Sequence, residues 1–328
     1  MSERVWAGVD VGGTKTALVL SSSPPAVLER IEFATLPAEG PERALHLIMT
    51  GIHELLAKRG LTEDGLRGIG VSCGGPLDRV AGVVQSPPNL PTWVDVPVTS
   101  ILEQEFHIGC QLENDANAGA VAEHRYGAGQ GCQDMVFLTM GTGLGAGIIT
   151  DGRLYHGVSD LAGEIGHVRL TPRGPIGYNK AGSVEGWASG GGMAQVAARS
   201  VEAAMKREKK TLLEPYLRDN QAITARDVAL AAQEGDALAK QILRSTGRRL
   251  GQALAILIDI LNPERIVIGG LAMRLGETLL APARAVVKRE ALAADICQIV
   301  PASLDERIGD VAALCVAVGL DSTAAMKS

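Results

Sequence analysis

One short plan occurs twice in this chain: a strand, a turn rich in glycine and threonine, and a second strand. The first copy has apolar residues at 5–9, the turn DVGGTK at 10–15, and further apolar residues at 16–20. The second copy has apolar residues at 135–140, the turn GTGLGAG at 141–147, and a strand at 148–150. Apolar runs joined by a short turn predict an antiparallel ribbon. The repetition predicts two related domains that each offer one turn to a shared cleft, and 328 residues suffice for roughly two domains.

Both turns have the composition of a phosphate-binding loop. Consecutive backbone N–H groups in a glycine turn form an anion-binding nest, and Thr14 and Thr142 add hydroxyl donors. Neither turn is a P-loop, and the second matches a dinucleotide fingerprint only weakly because a strand follows it. A plain hairpin is the alternative for each turn. Asp10 ends the first strand, where a carboxylate beside phosphates would hold Mg²⁺, often through water.

The segment Asn114-Asp115-Ala116-Asn117 lies between these turns in the sequence. It follows an apolar run at 108–112 and precedes a helix-like stretch at 118–126, so Asp115 is predicted at the carboxyl edge of a sheet. Open α/β sheets bind their ligands at that edge. The alternative is a helix cap, because Asn and Asp both cap helices well. With a phosphate turn on either side, we interpret Asp115 as a group that accepts a proton.

Further polar and glycine-rich positions extend this candidate site. Gly269-Gly270 follows a buried strand and is predicted to leave room for an adenine ring, with a plain strand–helix turn as the alternative. Glu164, His167 and Glu185 are predicted to converge on a ligand rich in hydroxyl groups. A structural histidine and solvated loop carboxylates are the alternatives here.

These motifs, in this order, resemble the ROK family (repressor, open reading frame, kinase). The resemblance covers its two phosphate motifs (10–15 and 141–145), its catalytic segment (114–117), its Gly-Glu-x-Gly-His segment (163–167) and its adenosine motif (269–270). It implies an α/β, actin-like ATPase (ribonuclease H-like) fold of two domains with a cleft between them. The implied domains are a smaller one, residues 1–117 completed by the last helix at 310–328, and a larger one at 118–309.

The resemblance implies an ATP-dependent hexose kinase that transfers the γ-phosphate to a sugar 6-hydroxyl, with Asp115 as general base and ATP and Mg²⁺ as cofactors. The implied sugar contacts are Gly75, Asn89, Asn114, Asp115, Glu164, His167 and Glu185. The implied nucleotide contacts are Asp10, Gly12, Gly13, Thr14, Lys15, Thr142, Gly143, Gly269 and Gly270. Glucose is the first expectation, because the loop PNLPTW at 88–93 resembles that of glucokinase-like members. N-acetylmannosamine, N-acetylglucosamine, other amino sugars and cyclitols stay open.

The chain departs from the family at its zinc site. Zinc-bearing members carry Cys-x-Cys-Gly-x-x-Gly-Cys-x-Glu after the histidine. With the final Glu aligned on Glu185, the three cysteine positions hold Ile176, Tyr178 and Ser183. Because a structural zinc site needs four ligands, usually Cys and His, the sequence predicts that zinc is absent.

Composition and the position of the first motif in the sequence bear on other classes of function. A net charge of -6 argues against nucleic acid as the main partner, and the absence of an apolar run of about 18 residues argues against a membrane partner. Five widely spaced cysteines predict a reduced, cytoplasmic protein. A sugar-responsive repressor would need a DNA-binding segment, for which we expect no room before Asp10. A non-sugar ATPase and an inactive binding scaffold remain alternatives, and a homodimer is an open option.

Overall fold

The computed structural model describes residues 4–319 of the chain. Its strands are β1 Val5–Val11, β2 Lys15–Ser21, β3 Glu29–Ala34, β4 Leu66–Cys73, β5 Leu77–Asp78, β6 Val83–Val84, β7 Cys110–Asn114, β8 Met135–Met140, β9 Leu144–Thr150, β10 Arg153–Leu154, β11 Ile176–Gly177, β12 Lys180–Ala181, β13 Arg265–Ile268 and β14 Gln298–Pro301. Its helices are α1 Pro41–Lys58, α2 Val98–Phe106, α3 Asp115–Tyr126, α4 Val184–Ala188, α5 Gly190–Met205, α6 Glu214–Arg218, α7 Ala225–Gln233, α8 Ala237–Leu261, α9 Leu271–Leu275, α10 Glu277–Glu290 and α11 Ile308–Val318. Single 3₁₀ turns lie at Pro37–Glu39, Glu63–Gly65, Ile165–His167 and Asp305–Arg307.

The chain forms two compact units, and the first combines three separate stretches. Among the described residues it contains 4–131, the stretch Gly147–Ala162 and 303–319. The second unit contains Cys132–Ala146 and Gly163–Ala302. The boundaries of these units differ from the sequence-based boundaries at 117/118 and 309/310, because all of α3 packs against β7 and α11 within the first unit. How the units correspond to functional domains stays a prediction.

The sheet of the first unit has the strand order β3-β2-β1-β4-β7. The first two strands form the predicted antiparallel ribbon, whereas β1, β4 and β7 are mutually parallel. Side chains alternate between the faces of a strand, so the two faces of this sheet meet different helices. Leu18 and Ile31 lie against α1, while Gly8 and Gly70 lie against α11. The buried core therefore has a layer of helix on each side of the sheet.

Helix α11 lies unusually close to β1 and β4. A methyl group on Gly70 would overlap the backbone nitrogen of Ala317 and the carbonyl oxygen of Ala313. On the neighbouring strand, a methyl group on Gly8 would lie 3.1 Å from the Ala313 methyl. The sequence predicts this helix at 309–325 with a face of small residues. The structure begins it at Ile308, and the part of the prediction beyond residue 319 lies outside the described residues.

The second five-stranded sheet has the order β10-β9-β8-β13-β14, and the boundary between the units falls within β9. Strands β8, β13 and β14 are parallel. Two predictions here were wrong in their bounds. The second turn ends at Gly143, because β9 already begins at Leu144. The sequence predicts a helix over 275–291, whereas the structure begins α10 at Glu277, because Gly276 has a left-handed φ of 50°. The sequence also predicts an irregular stretch at 161–187, where the structure contains the β11–β12 hairpin and α4.

No helix among residues 4–319 combines the length and the apolar character that crossing a membrane requires.

The packing of α11 yields a stability prediction. Gly70→Ala should lower the free energy of unfolding by about 1–3 kcal/mol, because the added methyl forces the helix and sheet apart. Gly109→Ala is the control, since a methyl group there has no heavy atom within 4 Å. Urea denaturation of both variants measures the difference. Equal stability of the two variants would show that α11 moves aside without loss.

Candidate functional site

Three parallel strand ends define the candidate site in the first unit. Val11 pairs with Cys73, and Cys73 pairs with Asn114, so the carboxyl ends of β1, β4 and β7 lie side by side. The residues that adjoin these ends are Asp10, Gly74, Gly75 and Asp115. The structure thus brings the predicted first turn and the predicted acid to one edge of one sheet, where α/β proteins bind ligands.

The segment that carries Asp115 is both a helix cap and a candidate site. Asn114 is the N-cap of α3, and its Oδ1 accepts hydrogen bonds from Ala116 N at 2.9 Å and Asn117 N at 3.4 Å. The capping alternative is therefore correct for Asn114. Asp115 occupies the first helical position and is exposed, with its Oδ1 2.8 Å from Ala116 N. Although the side chain is exposed, desolvation by the surrounding sheet edge raises the pKa of Asp115, against the opposing hydrogen bond from Ala116.

Asp10 lies in a cluster of charged groups. Burial, followed by the nearby charges of Asp115 and Asp310, raises the pKa of Asp10 from 3.8 to about 7, and Lys15 and Arg30 oppose the rise. The first residues of α11 reach this carboxylate, because a methyl group on Gly309 would overlap Asp10 Oδ2.

A chain of ion pairs leads from this cluster to the surface. Arg30 Nε donates to Asp310 Oδ2 at 2.9 Å, and Arg30 Nη2 donates to Glu32 Oε2 at 2.7 Å. Lys15 Nζ donates to the same Glu32 oxygen at 3.0 Å. The Lys15 ammonium, which the sequence assigned to nucleotide binding, is thus paired with Glu32 in this structure.

The first turn and the loop that carries Asn89 are packed together. Gly12 N donates to Lys15 O at 3.0 Å, which closes the turn. A methyl group on Gly13 would lie 2.7 Å from Asn89 Cβ, and one on Gly74 would lie 3.5 Å from the Asn89 amide. Thr14 contributes its carbonyl oxygen, which accepts from Thr35 N at 3.1 Å.

The second glycine after β4 faces the helix cap. A methyl group on Gly75 would lie 3.3 Å from Asn114 Nδ2. Gly75, Asn89 and Asn114, all predicted sugar contacts, therefore surround the same strand ends.

Sequence reasoning missed Glu113 and His156, which lie directly behind Asp115. The buried Glu113 carboxylate is 2.9 Å from His156 Nε2, and its second oxygen accepts from Asn114 N and Asn117 Nδ2, each at 2.9 Å. An acid at the end of an apolar strand was a usable signal for Glu113. His156 is 43 residues away, and nothing in its neighbourhood identified it.

In the second unit, the predicted adenosine motif lies beside the second turn. Parallel pairing of Leu138 with Ile268 brings the ends of β8 and β13 together. Gly270 has a φ of 66°, and a methyl group on it would overlap the carbonyl oxygen of Met140, the residue before the turn. Gly269 faces the ring of Phe137, and a methyl group on Gly269 would lie 3.1 Å from Phe137 Cζ.

The second turn is held from behind by the start of α5. Gly190 N donates to Gly141 O at 2.8 Å, and Gly191 N donates to Thr142 O at 3.1 Å. Thr142 and Gly143 themselves are exposed. The backbone of the turn is therefore held in place, while its outer surface is open to solvent.

The three predicted polar residues of the second unit lie on adjoining segments. Glu164 is the N-cap of the Ile165–His167 turn, and both Glu164 and His167 are exposed. Glu185 lies in α4, and its Oε2 accepts from Leu144 N at 3.1 Å. A methyl group on Gly166 would lie 3.5 Å from Glu185 Cβ, so the segment that carries His167 meets Glu185 directly.

The positions of the family's zinc ligands carry other interactions. The backbone N–H and carbonyl of Ile176 bond the Gln195 amide at 2.9 and 2.8 Å. Tyr178 contacts the His167 ring edge-on, with ring centroids 6.0 Å apart. Ser183 is buried and caps α4 by accepting from Gly186 N at 3.1 Å.

Trp187 and Lys180 supply further contacts to this stretch. Trp187 Nε1 donates to Thr171 Oγ1 at 2.7 Å, and the Arg249 guanidinium lies 4.7 Å from the centre of the Trp187 ring. Lys180 Nζ donates to His167 O at 2.8 Å. Within residues 4–319, no group of three or more His, Cys, Asp or Glu side chains has the arrangement of a metal site.

Comparison with known proteins identifies the family. The profile of the ROK family matches residues 6–318, and the chain belongs to the ROK family. A glucokinase of Halalkalibacterium halodurans is 36% identical over 288 residues, which is 86% of this chain and 84% of that protein. A xylose repressor of Caldicellulosiruptor bescii is 30% identical and aligns over 88% of this chain and 71% of its own length.

A solved structure matches the fold. The ROK family glucokinase from Streptomyces griseus, in complex with glucose and AMPPNP, superposes with a TM-score of 0.77 at 31% identity, covering 96% of this chain and 99% of that one. The predictions of the family and of an actin-like sugar kinase fold are thereby confirmed. The roles of individual site residues stay predictions.

The raised pKa of Asp10 yields a pH-dependent prediction. Because the folded protein holds the Asp10 proton more tightly than the unfolded chain does, this group stabilises the fold at low pH. The contribution is lost as pH rises from about 4 to about 7. Asp10→Asn should therefore become more stable relative to wild type across that range. Urea denaturation at several pH values, without nucleotide or divalent ions, measures the difference, and a constant difference would contradict the assigned shift.

The segment that lacks the family's zinc cysteines yields a second prediction. Gln195→Ala should lower the free energy of unfolding by about 1–2 kcal/mol, because the backbone of Ile176 loses two hydrogen bonds. Arg199→Ala, at an exposed position of the same helix, is the control. Thermal melting with and without a chelator tests the metal. We expect the chelator to leave the wild-type melting temperature unchanged, and a large decrease would overturn the prediction that zinc is absent.

Proposed function

We propose that this protein is an ATP-dependent hexose kinase that transfers the γ-phosphoryl group to the 6-hydroxyl of glucose. The observation that carries the proposal is the position of Asp115, an exposed carboxylate at the ends of three strands with a raised pKa. The similarity to glucokinases over most of both chains supports the reaction class. The S. griseus relative, described as a complex with glucose and AMPPNP, supports the pair of substrates.

In this proposal Asp115 is the general base. It accepts the proton of the 6-hydroxyl while that oxygen attacks the γ-phosphorus, and the bond to the ADP oxygen breaks. A base works best when its pKa lies near the operating pH, and the protein packed around Asp115 raises its pKa from the ordinary aspartate value. Asn114 directs its side-chain oxygen into the helix cap, which leaves its Nδ2, beside Gly75, as the donor to sugar.

Both units contribute to the remaining proposed contacts with sugar and nucleotide. Gly75 and Asn89 in the first unit and Glu164, His167 and Glu185 in the second are the proposed sugar contacts. The turns at 12–15 and 142–143 are the proposed phosphate contacts, and Gly269 and Gly270 are those for adenosine. Phosphoryl transfer depends chiefly on such positioning and on charge neutralisation.

The surroundings of Asp10 fit a role in holding Mg²⁺. The carboxylate lies where Asp115 and Asp310 add negative charge, and hard oxygen ligands of this kind suit that ion. A bound Mg²⁺ would supply neutralising charge to the phosphates. Asp10 would hold it directly or through water.

Glucose is proposed over other sugars because of the loop at 88–93. Asn89 is fixed in position by its packing on Gly13 and Gly74, which links the sugar loop to the first turn. The similarity to named glucokinases supports the same choice. All five cysteines are buried and none forms a disulfide, which supports a cytoplasmic location.

A sugar-responsive regulator is the second candidate, because the xylose repressor of C. bescii is similar over most of this chain. A panel of sugars with ATP and Mg²⁺, read by ADP release, separates the two. We expect glucose to give the highest kcat/KM. Sugar binding without sugar-dependent ADP release would favour the regulator, and faster turnover of an N-acetylated hexose would change the proposed substrate.

Substitution of the proposed base is the direct test of mechanism. Asp115→Asn should lower kcat by about 10²–10⁴-fold, because the amide is nearly isosteric and cannot accept the proton. Binding of glucose, measured by calorimetry, should largely survive. Asp64→Asn replaces an exposed carboxylate of the same unit and serves as the control. A kcat within a few-fold of wild type would remove Asp115 from the mechanism.

A further inference from the structure

Glu185 makes a contact that a role in sugar binding alone does not explain. Its Oε2 accepts the backbone N–H of Leu144 at 3.1 Å, and Leu144 directly follows the second turn. A methyl group on Gly143 would lie 2.8 Å from the same oxygen. The carboxylate is therefore packed against the last residue of the turn as well as bonded to the residue after it.

Three other contacts hold the stem and the backbone of Glu185. Gly177 of the β11–β12 hairpin lies against the stem of this side chain, where an added methyl group would be 2.8 Å from Glu185 Cβ and 2.9 Å from Cγ. Gly166 approaches from the segment that carries His167. On its own helix, the carbonyl oxygen of Glu185 accepts from Ser189 N at 3.0 Å. Glu185 thus has little freedom to leave Leu144.

Leu144 connects the turn to the other predicted sugar residues. Its N–H is bonded to Glu185, and its carbonyl oxygen lies against Gly166, where a methyl group would overlap it. His167 is the next residue after Gly166. A change in the orientation of the Leu144 peptide would therefore alter the turn on one side and the His167 segment on the other.

The other supports of the turn act on different atoms. Gly190 and Gly191 bond the carbonyl oxygens of Gly141 and Thr142, at the start of the turn. The bond from Glu185 orients the peptide at the end of the turn. A nest binds anions only when its successive N–H groups are held in a convergent orientation.

We propose that Glu185 is a positioning residue for the nucleotide phosphates, acting through the Leu144 N–H to fix the second turn. The inference rests on the proposed function, because it takes the turn at 141–143 to hold phosphate. It adds to the sugar role of Glu185 a second role that needs no sugar. One carboxylate then links the segment that recognises the acceptor to the turn that recognises the donor.

The test measures the Kd of AMPPNP with Mg²⁺, without sugar, by titration calorimetry. Removal of the Glu185 charge alone would favour a bound polyphosphate, so variants are compared within charge-matched pairs. Glu185→Gln and Glu185→Ala are both neutral, but only the glutamine offers an acceptor that reaches Leu144. Wild type and Glu185→Asp are both charged, and the aspartate is one methylene too short. We expect the second member of each pair to bind roughly 5- to 20-fold more weakly than the first.

Tyr178→Phe is the matched control, because Tyr178 lies in the hairpin that packs on Glu185, and its substitution changes no charge and leaves the Leu144 N–H bonded. Its Kd for AMPPNP should equal that of wild type. Hydrogen exchange of the Leu144 amide gives a second measurement, with protection expected in wild type and Glu185→Gln and loss of protection in Glu185→Asp. The charged pair keeps the test decisive if Glu185→Ala does not fold.

Each outcome has a separate meaning. Equal affinities within both charge-matched pairs would overturn the positioning role, whatever the sugar kinetics show. A wild-type protein that binds no AMPPNP would refute the proposed function instead. An AMPPNP affinity lowered as much in Tyr178→Phe as in Glu185→Asp would also overturn the inference, because the effect would then belong to the whole region.

Discussion

The close contact between α11 and the first sheet supports everything else in the first unit. Gly8 and Gly70 have no side chains, so the helix backbone approaches the strands more closely than any larger residue would allow. This approach brings Gly309 against the carboxylate of Asp10 and places Asp310 within reach of Arg30. The electrostatic environment at the end of β1 is therefore determined partly by residues almost three hundred positions away.

Side chains as well as backbone position the candidate site residues in each unit. Behind Asp115, the buried carboxylate of Glu113 receives donors from His156, Asn117 and the Asn114 backbone. Behind the second turn, Glu185 holds the Leu144 N–H while α5 holds two carbonyl oxygens. In both places an acid accepts backbone or side-chain donors, and such charge-assisted bonds are stronger and more directional than neutral ones. Close to these acids lie two exposed residues. Asp115 follows Glu113 in the first unit, and Thr142 precedes Leu144, the partner of Glu185, in the second.

The segment 167–187 shows how a chain of this family is held together where its zinc cysteines are replaced. Gln195 bonds both backbone groups of Ile176, and Trp187 is held by Thr171 on one side and by Arg249 on the other. These contacts are individually modest, since a hydrogen bond contributes about 1 kcal/mol net. They are distributed over the whole segment, and they leave the hairpin packed directly against Glu185.

The sequence by itself determined the local features, because these depend on short-range rules. The repeated strand–turn–strand plan predicted the ribbon of β1 and β2, and the motifs identified the family before any packing was known. Capping chemistry was also readable, and the Asn114 cap and the candidate acid Asp115 proved to be neighbours with different roles. Errors occurred where a distant partner decided the outcome. Gly147 belongs to β9 instead of the turn, and its lack of a side chain leaves room for the backbone of α3.

Only the tertiary structure brought together His156 with Glu113, Asp310 with Asp10, and Glu185 with Leu144. None of these pairs has a sequence spacing that a helix or strand period would place in contact. Their proximity follows from the pairing order of the strands and from the backbone approach that glycine permits. The sequence thus specified which chemical groups the protein carries, and the packing decided which of them share a site, because hydrogen bonds and charge effects act over a few ångströms whatever the separation along the chain.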